Sequence, residues 1–178
     1  MAREMTPDVF TVDYVGTPGA RAFFLQIRSE DGIFTIALEK EQVGALAEKL
    51  GEMLLLIDRS DPLVGVEPAR DPALATEQVE PAWRVGAIGL GYEESSDMVA
   101  VLLEPYRAEE EESLEGVLER VLEEEPLQLM LRRDQARAFV LHALAVIGEG
   151  RPLCRLCGLP MDPEGHTCPA SNGHKTTA

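Results

Sequence analysis

Residues Phe34-Thr35-Ile36-Ala37-Leu38-Glu39-Lys40-Glu41-Gln42 pass directly from alternating apolar side chains into a helical pattern. A shift of 93 residues aligns them with Leu127-Gln128-Leu129-Met130-Leu131-Arg132-Arg133-Asp134-Gln135. In each stretch a strand with period-two alternation ends at a polar junction and a helix follows. The same shift places Phe139 on Leu46 and Ala143 on Leu50 in the helices that follow. Two junctions of the same pattern predict an internal duplication.

The first half of the chain shows three strands and one helix. Alternating apolar residues predict strands over 9–15, 21–28 and 33–38, separated by the turn residues Gly16-Thr17-Pro18-Gly19 and Ser29-Glu30-Asp31-Gly32. Apolar residues from Val43 to Ile57 then recur at steps of three and four, which is typical of an amphipathic helix.

The second half repeats this order after a proline-rich segment. Prolines 62, 68, 72 and 81 interrupt residues 59–82, and proline disrupts both ladders and helix interiors, so an extended linker is expected there. Strands are predicted over 83–90, 98–103 and 127–131, followed by a helix whose apolar stripe runs from Ala136 to Ile147.

These patterns define the expected fold class, which is α+β. Within a domain spanning 1–150 we expect two strand-strand-strand-helix units related by a pseudo-twofold, repeat 1 over about 8–58 and repeat 2 over about 83–148. They would form a mainly antiparallel sheet with both helices on one face, because each helix has one apolar stripe. Residues 1–7 are expected to be a loose terminus. The predicted core consists of Phe23, Leu25, Ile27, Phe34, Ile36, Leu46, Leu50, Leu129, Leu131, Phe139, Val140 and Leu144.

The composition favours some classes of protein over others. With 45% hydrophobic and 27% charged residues, the chain has the composition of a soluble globular protein. It has no signal-peptide pattern and no apolar run of membrane-spanning length, so we expect a cytoplasmic protein without membrane contact. Sixteen basic against 32 acidic residues leave a formal charge of -16. Such a chain repels nucleic-acid phosphates, so a protein partner is expected and nucleic acid is not.

All three cysteines lie within the C-terminal region 151–178, in Cys154-Arg155-Leu156-Cys157-Gly158 and Gly165-His166-Thr167-Cys168-Pro169. A Cys-x-x-Cys knuckle followed by glycine lets two thiolates converge on one metal ion. Cys168 offers a third thiolate. The spacing predicts a Zn²⁺ site that holds this tail folded.

The fourth zinc ligand has two candidates. His166 is favoured, because in extended backbone it points to the same side as Cys168. His174 is the alternative. Three thiolates and one imidazole would close the tetrahedron and leave no open position for a substrate, so the zinc is expected to be structural.

No other motif indicates a cofactor or a catalytic centre. The glycines in Gly86-Ala87-Ile88-Gly89-Leu90-Gly91 precede no helix that could receive a phosphate, and a strand in close contact with its neighbour explains them better. His142 falls off the apolar stripe and is expected to face solvent. Catalytic residues therefore stay unassigned.

Two functional hypotheses follow. The first, which we favour, is a non-enzymatic binding or adaptor protein with a structural zinc. The alternative is an enzyme acting on a phosphorylated or small polar substrate in a cleft between the repeats, a cleft for which Tyr14, Arg21 and Arg84 are candidate lining residues. Convergent ionisable residues with shifted pKa values would favour the enzyme.

The segment 104–126 distinguishes the two halves. It contains acidic runs at 109–112 and 123–125 around apolar residues at helical spacing. A solvated acidic helix over the sheet edge is the favoured interpretation, and a docking element for a partner is the other.

The C-terminal stretch from Gly150 to His174 resembles that of a bacterial family of unknown function, found mainly in actinobacteria and Chloroflexi and described as a repeat protein. The turn Gly16-Thr17-Pro18-Gly19 followed by Arg21 and Phe23 is similar to its N-terminal region. Arg155 is a departure, since proline is expected after the first cysteine of the knuckle. The resemblance implies a zinc-binding tail and no established activity.

Overall fold

The computed structural model describes residues 2–30, 32–58, 80–107, 125–150, 154–156, 166–167 and 175–176. Within them the chain forms two helices and nine strands. The helices are α1 (Lys40–Asp58) and α2 (Arg133–Gly148). The strands are β1 (Arg3–Met5), β2 (Val9–Thr17), β3 (Ala20–Ser29), β4 (Gly32–Leu38), β5 (Val85–Glu93), β6 (Met98–Pro105), β7 (Leu127–Arg132), β8 (His166–Thr167) and β9 (Lys175–Thr176).

The strands of the α+β domain form two sheets where one was predicted. One sheet has the order β2-β3-β4 and is antiparallel throughout; the other has the order β1-β7-β6-β5 and is antiparallel except at β1. The sheets meet where β4 lies beside the entry to β5: the Ala37 amide donates to the Trp83 carbonyl (2.9 Å) and the Ala82 amide to the Thr35 carbonyl (2.8 Å). This parallel contact amounts to a single isolated bridge between Ala37 and Arg84, too short to join the sheets into one ladder.

The N-terminal residues are ordered, contrary to the prediction of a loose terminus. β1 pairs in parallel with β7, with Arg3 opposite Leu127 and Met5 opposite Leu129. The Met5 side chain is buried in the core. Three residues are too few to show an alternating pattern, so sequence periodicity does not predict this strand.

Both helices begin with the same hydrogen bond. The Gln42 side-chain oxygen accepts from the Glu39 amide (2.8 Å), and the Gln135 oxygen accepts from the Arg132 amide (3.1 Å). Each is the reach-back contact of a capping box, which satisfies a backbone donor at the helix start. The amide nitrogen of each glutamine then donates to the other half of the chain, from Gln42 to the Val85 carbonyl (3.2 Å) and from Gln135 to the Pro7 carbonyl (2.8 Å).

The helices pack against each other and against strands of both sheets, α1 on β3 and β5, and α2 on β2, β6 and β7. The rings of Phe10 and Phe139 lie 4.5 Å apart where β2 meets α2. Of the predicted core, all residues except Phe34 and Leu144 are buried, and Phe34 packs against the core while half-exposed. Leu144 is 46% exposed, a wrong prediction: the buried face of α2 passes through Ala143 and Val146, and Leu144 lies to one side of it.

None of the helices in the described part of the chain is both long and apolar enough to cross a membrane.

Two glycines provide a test of this packing. A Cβ at Gly51, inside α1, would lie 3.8 Å from the Val140 Cγ1 atom, an ordinary contact with α2. Gly51→Ala should therefore raise the free energy of unfolding by about 0.5–1 kcal/mol, because alanine has the higher helix propensity. Urea unfolding monitored by circular dichroism measures the change.

Gly86→Ala is the matched control. Its Cβ would lie 2.8 Å from the Tyr106 Cα atom and 2.9 Å from the Pro105 carbonyl oxygen, both backbone atoms, so the substitution should destabilise the protein. This close approach also bears out the strand-contact interpretation of that glycine. Stabilisation by Gly86→Ala, or marked destabilisation by Gly51→Ala, would contradict the packing described.

Candidate functional site

His142 lies at the contact between α2 and β2 and is only 5% exposed. Its Nε2 atom is 2.9 Å from the carbonyl oxygen of Val12. A carbonyl oxygen can only accept, so Nε2 carries the proton and donates it to this bond. The prediction that His142 faces solvent is therefore wrong. The residue lies on the same helix face as the buried Phe139 and Val146, and a backbone acceptor at the edge of β2 compensates its polarity.

About two helical turns beyond His142, Tyr14 of β2 contacts Glu149, the residue that follows α2. Its hydroxyl donates to the Glu149 carboxylate over 2.8 Å. This hydrogen bond to Glu149, reinforced by burial, raises the pKa of Tyr14 above its usual value. The phenol consequently stays protonated at neutral pH.

Arg21 of β3 contacts both Tyr14 and the end of α2. Its guanidinium carbon lies 4.1 Å from the centre of the Tyr14 ring, within the range of a cation–π contact. Its Nη1 donates to the Val146 carbonyl (3.3 Å) and its Nη2 to the Glu149 carbonyl. The last turn of α2 has no basic residue of its own, so Arg21 supplies the cation that a helix C-terminus favours. Arg21 Nε is buried and has no hydrogen-bond partner among the described residues.

These contacts border a cavity of about 300 Å³ between β2 and the last turns of α2. Its described lining consists of Asp13, Tyr14, Val15, Gly16, His142, Val146 and Glu149. Two of these residues carry carboxylates, and the described lining contains no lysine or arginine. The Asp13 carboxylate also accepts from the Tyr14 amide (2.9 Å), so it satisfies part of the open edge of β2. The described lining combines polar and apolar side chains, and the cavity lies where the first and second halves of the chain meet.

A second polar cluster joins the C-terminal end of α1 to α2. The Asp58 carboxylate, whose side chain is 8% exposed, accepts from Arg133 Nη1 (2.6 Å) and Arg137 Nη2 (2.5 Å) of α2. Arg133 also donates to Asp97 in the β5–β6 turn (2.8 Å), and Asp97 accepts from the Tyr92 hydroxyl (2.6 Å). Asp58 stands at the negative end of α1, where a carboxylate is unfavourable, and the two arginines compensate for it.

The same contacts set the acid response of Asp58. Hydrogen bonds and charges from Arg137, and then from Arg133, outweigh burial and lower the pKa of Asp58. A lowered folded-state pKa contributes stability that is present above the unfolded value, about 3.9, and is lost as the pH falls through the folded value.

Asp58→Asn should lower the free energy of unfolding at pH 7 by on the order of 3 kcal/mol, because it leaves two arginines without their buried counter-ion. It should also flatten the dependence of stability on pH below about pH 5. Chemical unfolding at a series of pH values measures both effects.

Asp134→Asn is the control for this variant. Its carboxylate pairs with Arg132 and is 65% exposed, so its loss should cost less than about 1 kcal/mol. Equal effects of the two substitutions would show that Asp58 is an ordinary surface ion pair.

The predicted zinc ligands fall mostly outside the described residues. Cys157, Cys168 and His174 lie outside them. Cys154 is described and is buried, at 4% exposure. The backbone of His166 belongs to β8, which pairs antiparallel with β9 so that His166 is opposite Thr176 and Thr167 is opposite Lys175. The described residues alone contain no group of three metal-ligating side chains. The zinc site therefore stays a prediction.

The predicted cleft residues separate into two groups. Tyr14 and Arg21 come together as described above. Arg84 instead pairs with Glu39 over 3.1 Å at an exposed position near the start of α1, so it does not join them. Sequence reasoning missed His142, Glu149 and Asp13. The one signal for His142 was its position between Phe139 and Val146 on the buried side of the helix.

The fold and the cavity define an α+β protein of two mainly antiparallel sheets with a pocket between β2 and the end of its second helix. The sequence model of the family described as "Protein of unknown function (DUF3090)" matches residues 4–168, and the chain belongs to this family. No curated protein and no solved structure matches the sequence. Membership agrees with the resemblance to a family of unknown function noted from the sequence.

Proposed function

We propose that this protein is a non-enzymatic binding protein and that the cavity between β2 and α2 is its ligand site. The observation that supports this most directly is the convergence of His142, Tyr14 and Glu149 on one concave surface of about 300 Å³. A pocket with a few convergent polar groups is the usual form of a small-molecule site. Residues from both halves of the chain line it, so a bound ligand would bridge them.

The hydrogen bonds favour binding over catalysis. Glu149 raises the pKa of Tyr14 and so keeps its proton on the phenol, which makes Tyr14 a poor base or nucleophile at neutral pH. The Nε2 proton of His142 is held by the Val12 carbonyl. Groups used in this way orient a ligand more readily than they transfer protons to it.

The alternative of an enzyme acting in the same cleft has weaker support. A phosphorylated substrate calls for cationic side chains, and the described lining has none. Arg21, which lies beside the cavity, already donates to two helix carbonyls. A small polar substrate is the form of this hypothesis that fits the lining better.

A blocked cavity tests the binding proposal. Val15 lines the cavity and is half-buried, so Val15→Trp should fill it. After incubation with a small-molecule cell extract and gel filtration, native mass spectrometry should show a retained molecule on the wild-type protein and none on the variant.

Ala87→Trp, at an exposed position of β5, is the matched control and should retain the molecule as the wild type does. Circular dichroism of both variants verifies that they fold. Retention by a folded Val15→Trp protein, or no retention by any of the three proteins, would count against the cavity as the ligand site.

We further propose that the two halves arose by duplication and are related by a pseudo-twofold. The support is a set of paired contacts: Gln42 and Gln135 begin their helices alike and donate to the entry of the other half's first strand. In the same way β1 pairs in parallel with β7, and residues 82–84 run parallel to β4. The 93-residue shift matches His142 with Lys49 and Glu149 with Leu56. The first half therefore lacks the counterparts of these two cavity residues.

A structural Zn²⁺ on Cys154, Cys157, Cys168 and His166 completes the proposal, with His174 as the alternative fourth ligand. The residue types suit zinc, and the buried Cys154 thiol fits a ligand better than an exposed one would. Sequence order is also compatible with His174 as the fourth ligand. Cys168 directly follows Thr167, His174 directly precedes Lys175, and Thr167 pairs with Lys175.

Metal analysis of the purified protein tests the site. One zinc per chain is expected, and Cys157→Ser should release it, because the serine hydroxyl does not replace the thiolate ligand. Loss in His166→Ala with retention in His174→Ala would identify His166 as the fourth ligand, and the reverse result would identify His174. Full retention of zinc in Cys157→Ser would end the proposal.

We also propose a cytoplasmic location and a protein partner, with no binding of nucleic acid or membrane. The acidic composition supports a protein partner over nucleic acid, because the chain repels phosphates. Residues 108–124 of the acidic segment 104–126 lie outside the described residues, so its role as a docking element stays a hypothesis.

A further inference from the structure

We propose that the outer face of the sheet β1-β7-β6-β5 is a docking surface and that its occupant is the apolar stripe of residues 114–122 of the same chain. The outer face is the side of β5, β6 and β7 that points away from the core. Three observations support this: the apolar character of the face, the length and attachment of the connection between β6 and β7, and the pattern of apolar residues in that connection.

The central strands of this sheet divide their side chains between two faces. Val101 and Leu103 of β6 and Leu129 of β7 are fully buried in the core. Successive side chains of a strand point to opposite faces. Leu102 and Met130 therefore point outward, away from the core that both helices share.

The strand register places small and apolar residues side by side on the outer face. Gly91 lies opposite Ala100, Ala100 lies opposite Met130, and Gly89 lies opposite Leu102. All five residues are half-buried, and none carries a charge. Glycine and alanine leave a shallow groove along β5 and β6, bounded by the longer side chains of Leu102 and Met130.

Such a face is suited to an apolar partner. The buried residues of α1 and α2 belong to the core on the other side of the sheet, so these two helices do not occupy the groove. A contiguous apolar patch on a folded protein is typical of an interaction surface. The occupant must bring apolar side chains, because the centre of the groove offers no ion-pair partner.

The connection between β6 and β7 is attached beside this face. β6 ends at Pro105, β7 begins at Leu127, and the two strands are antiparallel neighbours in the middle of the sheet. A hairpin between such strands needs only about two to five residues, and the range 106–126 is far longer. Residues 108–124 of this range lie outside the described part of the chain. Their two points of attachment hold them near the outer face at a high effective concentration.

The connection carries the apolar side chains that the face calls for. Its apolar residues recur at steps of three and one, the spacing of one helix face, and they are Leu114, Val117, Leu118, Val121 and Leu122. A helix over this stretch would present a stripe about 12 Å long. The outer face runs for about 20 Å along β6 from Met98 to Glu104, so the stripe fits within it.

The charge of the chain favours this occupant over a second copy. Two copies with a formal charge of -16 each repel one another, whereas a segment of the same chain is held in place by its own connections. Glu115, Glu119 and Glu123 alternate with the apolar residues and would point to solvent when the stripe is docked.

Nuclear Overhauser effects between methyl groups test the placement in the full-length protein. The chain is labelled at the methyl groups of methionine, leucine and valine in a deuterated background. The Met130 methyl group should show contacts to the methyl groups of Leu118 and Val121. The Met53 methyl group packs against the core and should show no contact to residues 114–122, so it is the internal control.

Two substitutions should remove the Met130 contacts. Leu118→Asn places a polar group in the middle of the stripe, and Ala100→Glu places a carboxylate in the middle of the groove. Glu119→Gln, on the opposite side of the predicted helix, is the matched control and should retain the contacts. Circular dichroism verifies that each variant folds.

Three results would overturn the proposal. The first is the absence of contacts between Met130 and residues 114–122 in the wild-type protein, which would leave the face to a separate protein partner. The second is their retention in folded Leu118→Asn. The third is their appearance in a mixture of methionine-labelled and leucine/valine-labelled chains, which would assign the face to a second copy. None of these results bears on the cavity between β2 and α2.

Discussion

The open edge of β2 is the constraint on which the domain depends. β3 pairs one side of β2, and the backbone groups on the other side need partners that none of the described strands supplies. Side chains provide them: His142 donates to the Val12 carbonyl and the Asp13 carboxylate accepts from the Tyr14 amide, while Gln135 donates to the Pro7 carbonyl just before β2 begins. Two of these three side chains belong to α2, so satisfying the edge also fixes the second helix across the first half. The cavity opens where α2 ends while β2 continues, and the polar groups needed at the edge are therefore also the groups that line it.

Much of the fold follows from local periodicity. The alternation that predicted strands over 9–15, 21–28 and 98–103 corresponds to β2, β3 and β6, because each of these strands buries one face against the helices. The helical stripes correspond to α1 and α2 for the same reason. Periodicity failed where burial depends on a partner distant in sequence. Leu144 is exposed and His142 is buried, the reverse of the prediction. The reason is that α2 faces the open edge of β2 as well as the apolar core. At that edge the Val12 carbonyl needs a hydrogen-bond donor, which His142 supplies and a leucine cannot.

The site was less accessible to sequence reasoning than the fold. Tyr14 and Arg21 could be named as polar residues at a predicted turn, but their convergence on Glu149 depends on the packing angle of a helix more than 100 positions away. Carbonyl groups carry half of the contacts at this site, and every residue has one, so no sequence pattern reveals them. The cysteines present the opposite case. Their spacing indicates a metal from sequence alone, and only Cys154 of the three lies in the described part of the structure.

The pairing of β1 with β7 has a consequence for how the domain assembles during synthesis. Arg3 pairs with Leu127, so β1 leaves the ribosome long before the strand that it pairs with. The first sheet has no such delay, because β2, β3 and β4 are consecutive hairpins. Contacts between residues so distant in sequence carry a large loop-closure entropy and slow folding. Until β7 emerges, β1 lacks its pairing partner and Met5, the buried residue of this strand, has no β7 to pair with.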